Sequence, residues 1–217
     1  MDYIEEKQND AKKLIIFLHG YNTNKNDLFS LKDEIFSDKE NTNYISLNAP
    51  IKCPRSDSGF EWFTMNEYDF PLKYAELTQQ LKDDLRKSST LLIDFIDKKV
   101  KEYNIKYKNV YLLGFSQGAS LSLYTGVRIK EQLGGIVSCS GFLLDKMEYF
   151  QNTQFTKQNI LFMFGLQDEV VLNECYQKSI EIFDKFKFNT IVKQYPNLGH
   201  CINYNEIIDI NNFIYNW

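Results

Sequence analysis

The chain has 217 residues, 43% of them apolar and 15% aromatic, which excludes a disordered polypeptide and suffices for the core of a single domain spanning 1–217. Lys plus Arg number 25 against 29 Asp plus Glu, a net charge of -4 without a basic stripe, so no nucleic-acid partner is expected. No run approaches the roughly 20 apolar residues of a membrane span, and Leu14 to Leu18 follows an acidic, polar segment rather than the positive flank of a secretory signal.

In chain order, Lys13 to Leu18, Tyr44 to Leu47, Asn109 to Leu113, Gly135 to Cys139, Ile160 to Phe164 and Thr190 to Tyr195 read as strands. Helix-like segments lie between and after them. Tyr74 to Tyr103 carries Leu77, Leu81, Leu85, Leu92, Phe95, Ile96 and Val100 at helical spacing, with a break expected near Ser88 and Ser89. Val171 to Phe186 and Tyr204 to Tyr215 are similar. The four prolines, Pro50, Pro54, Pro71 and Pro196, fall in expected loops. Strands alternating with helices predict an α/β architecture, a mostly parallel central sheet with helices on both faces, whose ligands bind at the carboxyl ends of the strands. Cys53, Cys139, Cys175 and Cys201 are widely spaced with no Cys-x-x-Cys pair, which points to reduced thiols and a cytoplasmic protein.

The third of those strands runs into Gly114-Phe115-Ser116-Gln117-Gly118 and then a helix-like stretch. A serine between glycines at a strand-to-helix turn is a nucleophile elbow, because a sharp, strained turn leaves no room for side chains two positions either side. A serine hydroxyl needs a base, and the chain has only His19 and His200. Hydrolases with this elbow use the order Ser, Asp or Glu, His, which selects His200. His19, ending the first strand, is read as bonding loop backbone groups. The carboxylate that orients the base must come from a loop between Ser116 and His200; Asp168 after the fifth strand is the first candidate, with Glu169 and Asp145 as runners-up. The oxyanion of the tetrahedral intermediate needs two backbone amides, one of them on the residue after the nucleophile, Gln117. The second should come from the loop after an early strand, where Tyr21 follows His19-Gly20. Cys201 is treated as structural.

Leu18-His19-Gly20, Asn48-Ala49-Pro50, Gly59-Phe60-Glu61-Trp62-Phe63, the Gly-Phe-Ser-Gln-Gly elbow, Ser138-Cys139-Ser140-Gly141, Gly165-Leu166-Gln167-Asp168-Glu169-Val170-Val171 and Leu198-Gly199-His200 span nearly the whole chain. In this order they resemble the phospholipase/carboxylesterase family of the alpha/beta-hydrolase fold, which includes the acyl-protein thioesterases. The resemblance implies Ser116, Asp168 and His200 as catalytic triad and the amides of Tyr21 and Gln117 as oxyanion hole. Two departures stand out: Tyr21-Asn22-Thr23 where the family usually has Leu-Gly-Asp, and Phe164-Gly165 where a His-Gly pair commonly precedes the acid.

The loop from Pro50 to Pro71 is long enough for a lid or binding role and carries Phe60, Trp62, Phe63, Met65, Tyr68 and Phe70. Its aromatic rings are expected either to wall an acyl pocket, with Trp62 and Phe63 binding substrate, or to cover the sheet edge. No metal-ligand spacing and no phosphate or dinucleotide motif occurs, so no metal and no cofactor is expected. The resulting expectation is a serine hydrolase of esters, thioesters or lysophospholipids. The alternative is a hydrolase fold kept as a non-catalytic binding module; a peptidase is disfavoured by the lack of any gating domain. A homodimer is carried only as the base rate for soluble enzymes.

Overall fold

The computed structural model describes residues 1–35, 39–65, 78–145 and 147–215. Their order is β1 (Tyr3–Glu6), β2 (Lys13–Leu18), β3 (Thr42–Leu47), β4 (Ile51–Lys52), β5 (Phe60–Glu61), α1 (Gln79–Tyr103), β6 (Val110–Phe115), α2 (Gln117–Gly126), β7 (Gly135–Cys139), α3 (Met147–Asn152), β8 (Asn159–Gly165), α4 (Asn173–Phe186), β9 (Asn189–Tyr195) and α5 (Tyr204–Tyr215).

Seven strands form one sheet in the order β1-β3-β2-β6-β7-β8-β9. All neighbours are parallel except β1, which runs antiparallel to β3. The sheet carries helices on both faces because its strands alternate. Leu14, Ile16 and Leu18 of β2 join Leu112 of β6 in a core with α1, α2 and α4, while Ile15, Phe17, Tyr111 and Leu113 face a second core with α5. This is the alpha/beta-hydrolase architecture expected above. After β2 the chain moves out to β3, then returns through α1 to β6 on the other side of β2. That reversal opens a crevice at the carboxyl ends of β2 and β6, where open α/β sheets bind ligands. Leu18 pairs with Gly114, and Gly114 with Ser138, so the three strands end level with one another.

Several expected elements differ. Helix α1 runs unbroken through Ser88 and Ser89, because both hydroxyls find partners: Ser88 Oγ donates to the Trp62 carbonyl at 2.5 Å, and Thr125 Oγ1 of α2 donates to Ser89 Oγ at 3.1 Å. Serines are small enough to let the neighbours approach. The helix starts at Gln79, where Thr78 Oγ1 accepts from the Leu81 amide as an N-cap; the expected start at Tyr74, with Leu77, lies outside the described residues, as do Tyr68, Phe70 and Pro71. The edge strand β1 and the two-stranded β4–β5 ribbon are additions to the expected elements. Asn104 closes α1 with φ 50°, a left-handed end that asparagine tolerates.

Candidate active site

Ser116 links β6 to α2 with φ 52° and ψ -114°, outside the regions that L-residues ordinarily occupy. The neighbours explain the glycines around it. A Cβ on Gly114 would lie 2.5 Å from the Ala119 amide nitrogen, and one on Gly118 would overlap the carbonyls of Leu18 and His19. The N-terminus of α2 is thus pressed onto the end of β2. The Ser116 amide is held by the Cys139 carbonyl at 2.8 Å, and the Gln117 amide, first in α2, has no intrahelical acceptor.

Ser116 Oγ lies 2.9 Å from His200 Nε2, and His200 Nδ1 lies 2.7 Å from Asp168 Oδ2. An ionised carboxylate only accepts, so Nδ1 carries the hydrogen and Nε2 accepts from the serine hydroxyl. Asp168 Oδ1 takes the amides of Val170 and Val171, both at 2.9 Å, and Oδ2 takes a further bond from Tyr176 Oη at 2.6 Å. Burial pulls the Asp168 carboxyl upward, but the bonds from His200, Tyr176 and the Val171 amide outweigh it and hold it below the ordinary carboxylate range. The loops carrying Asp168 and His200 are themselves tied, since Leu166 N donates to Tyr195 O and Gln167 N to Leu198 O, each at 2.9 Å. Phe115 leans its ring on the His200 imidazole with centroids 5.0 Å apart.

The loop after β2 is fixed from beneath. His19 is fully buried; Nδ1 donates to Gly20 O at 2.7 Å and Nε2 accepts from the Ala49 amide at 3.1 Å. Burial lowers its pKa, so the ring is neutral and serves as a backbone clamp. Trp62 Nε1 donates to His19 O at 2.9 Å, and the Gln117 side chain joins the same assembly by accepting from Trp62 N and donating to Phe63 O, both at 2.7 Å. Trp62 exposes none of its surface and Phe63 only 4%. Both stand behind the elbow and brace it.

A model of the family described as Phospholipase/Carboxylesterase matches residues 1–217. The chain belongs to this family. Curated relatives include acyl-protein thioesterase 1 of Debaryomyces hansenii, 26% identical over 94% of this chain and 90% of its own length. The Candida albicans protein of the same name is 28% identical over 95% and 92%. Among solved structures, esterase PE8 superposes with a TM-score of 0.86 at 24% identity, covering 97% of this chain and 96% of its own. Arabidopsis thaliana SOBER1 gives 0.83 at 24%, covering 94% and 98%. These structural likenesses establish the alpha/beta-hydrolase fold, and the family makes this chain a hydrolase.

Within the family frame, the departures acquire physical explanations. Asn22 takes the left-handed φ of 59°, which asparagine adopts more readily than most residues, at the position of the usual glycine. Thr23 Oγ1 donates to Gly20 O at 3.2 Å, and the turn is pinned to β5 by Asn22 N to Phe60 O and Phe60 N to Thr23 O. Phe164 stacks on Tyr176 with centroids 4.2 Å apart. Asp145 is engaged elsewhere in a two-pronged ion pair with Arg128, at 2.7 and 2.5 Å, and Glu169 is exposed. Sequence reasoning passed over Tyr176, Phe115 and the Gln117 side chain; Phe115 and Gln117 carried a signal, their place in the elbow, and Tyr176 carried none. None of the four cysteines is bridged in a disulfide among the described residues, and of the four Cys201 alone is exposed. Among the described residues no group of three or more His, Cys, Asp and Glu is arranged to hold a metal ion, and no helix is long and apolar enough to cross a membrane.

Proposed function

We propose that Ser116, His200 and Asp168 hydrolyse carboxylic esters or thioesters through an acyl-enzyme. His200 Nε2 takes the hydroxyl proton as Ser116 Oγ attacks the acyl carbon, and Asp168 stabilises the imidazolium through Nδ1. The carbonyl oxygen becomes an oxyanion held by the amides of Gln117 and Tyr21. Collapse expels the alcohol or thiol with the proton from His200. Water, deprotonated by the same imidazole, then attacks the ester on Ser116; the second tetrahedral intermediate releases the acid, and the proton returns to Oγ.

The observation that carries this reading is the unbroken line from Ser116 Oγ through His200 to Asp168, 2.9 and 2.7 Å, at the carboxyl end of the sheet. The relatives named acyl-protein thioesterase and the family's description as Phospholipase/Carboxylesterase support esters and thioesters, phospholipid esters included, as the substrate class. Trp62 and Phe63 enter as the buried backing of the acyl site rather than its exposed wall. An apolar acyl site discriminates by about 1–3 kcal/mol per methylene, which implies a graded chain-length preference. The reading extends to one domain acting in the cytoplasm without a cofactor.

A fluorophosphonate probe followed by peptide mapping tests it. The expected result is a single adduct on Ser116 in the parent, none in Ser116→Ala, and turnover of p-nitrophenyl esters and acyl thioesters by the parent alone. A folded parent that takes no label would instead support a binding module.

A further inference from the structure

Asp168 Oδ2 serves two donors at once. His200 Nδ1 approaches at 2.7 Å and Tyr176 Oη at 2.6 Å, while Oδ1 is filled by the Val170 and Val171 amides. Four donors match the roughly four acceptor sites of a carboxylate, so its rotation about Cβ–Cγ is fixed. The Tyr176 phenol is fixed in turn. It sits in the first turns of α4 with no exposed surface, its ring stacked on Phe164 at 4.2 Å and 13° and edge-on to Phe162 at 6.1 Å. Burial and the nearby carboxylate push the phenol far above its ordinary range, so it stays protonated and remains a donor. The titratable and charged groups facing the carboxylate are His200 and Tyr176. Cys175 neighbours the phenol with its thiol pushed up to about 12 by burial and by Glu174, and Glu169 points to solvent.

We propose that Tyr176 is a positioning residue that holds the Asp168 carboxylate and, through the oxygen they share, sets the direction and strength of its bond to His200 Nδ1. This rests on the triad reading above. A phenol bonded to Oδ2 draws charge from that oxygen and weakens its hold on the imidazolium. Phe164, where the family commonly has histidine, supplies the flat apolar surface that aims the phenol.

The test compares the parent with Tyr176→Phe, which keeps the ring and its stack. The readouts are the pH profile of kcat/KM on p-nitrophenyl butyrate and the downfield proton resonance of His200 Nδ1. Loss of a hydrogen bond to a charged group predicts a fall on the order of tenfold at neutral pH, expressed in kcat rather than KM. Without the competing donor the acid limb moves to higher pH and the Nδ1 proton moves further downfield. Tyr176→3,5-difluorotyrosine, a stronger donor of nearly the same shape, moves both the opposite way and carries the test where the phenylalanine variant does not fold. Profiles and resonances coinciding with the parent's would overturn the proposal and leave the triad reading standing. A parent that neither turns over ester nor labels on Ser116 would overturn both.

Discussion

At the Ser116 end of the site the geometry resides in the backbone, with φ 52° at the serine and two glycines packed against neighbouring main chain; at the Asp168–His200 end it rests on one carboxylate shared between two main-chain amides and the side chains of His200 and Tyr176, and on loops tied across β8 and β9. The difference teaches where each end tolerates change. A backbone-defined turn admits few residues at few positions. The side-chain donors to a carboxylate can be supplied from different neighbours, and Tyr176 backed by Phe164 is one such arrangement.

The contrast can be broken at several points. Asp168→Asn should have the largest effect, a drop in kcat on the order of 10⁴ with the fold retained, because the amide can present a donor to Nδ1 and reverse the tautomer that accepts from Ser116; ester kinetics beside a thermal melt separate the two. Gly118→Ala should cost about 3 kcal/mol of stability, since its Cβ meets main-chain carbonyls that cannot swing away. A melt matching the parent's would show that the elbow yields. Gln117→Leu keeps the backbone amide but orphans Trp62 N and Phe63 O, an expected loss of about 2 kcal/mol by denaturant titration, with kcat reduced far less than in Asp168→Asn.

The smallest expected effect lies beyond His200, in the cap of α5. Asn203 Oδ1 accepts from Glu206 N and Glu206 Oε2 from Asn203 N, both at 3.0 Å, a reciprocal capping box. Burial, aided by Asp209, pushes the Glu206 carboxyl up to about 7, and its Oε1 is buried without a hydrogen-bond partner. The folded state therefore holds this proton more tightly than the unfolded chain does, and stability falls as pH rises from the ordinary glutamate range through about 7. Glu206→Gln keeps the acceptor for Asn203 N and removes the charge. It should melt above the parent at alkaline pH by an amount equivalent to about 1 kcal/mol and coincide with it in acid.

Much of this was legible in the sequence for definite reasons. The central strands are continuous apolar runs because both faces of the sheet are covered, so β2 and β7 match the expected bounds and β6 and β8 differ only at their ends; the half-buried edge strand β9 was legible from Ile191 and Val192 and begins one residue earlier than expected. Ser116, His200 and Asp168 could be chosen because each follows a strand on the same rim and only two histidines compete. Strand β1 was illegible because Tyr3-Ile4-Glu5-Glu6 has little apolar pattern; it is held through its backbone ladder to β3 and by Glu5 pairing with buried Lys99 at 3.1 Å. The break expected at Ser88-Ser89 rested on local propensity, which tertiary partners for the two hydroxyls override. Tyr176 was hidden because, in sequence, a tyrosine on a helical stripe looks like any core aromatic, and its hydroxyl's partner lies in a different loop.

The chain contains two tryptophans, Trp62 and Trp217. Trp62 lies with its ring centroid 5.3 Å from the His19 imidazole and its N–H on the His19 carbonyl, one link from both the β2 loop and the elbow. In a Trp217→Phe background the tryptophan emission of the protein, excited beyond the tyrosine band, comes from this indole alone. Its wavelength and quenching then become an optical gauge of how the loop after β2 is seated, readable in real time while ester is added and consumed.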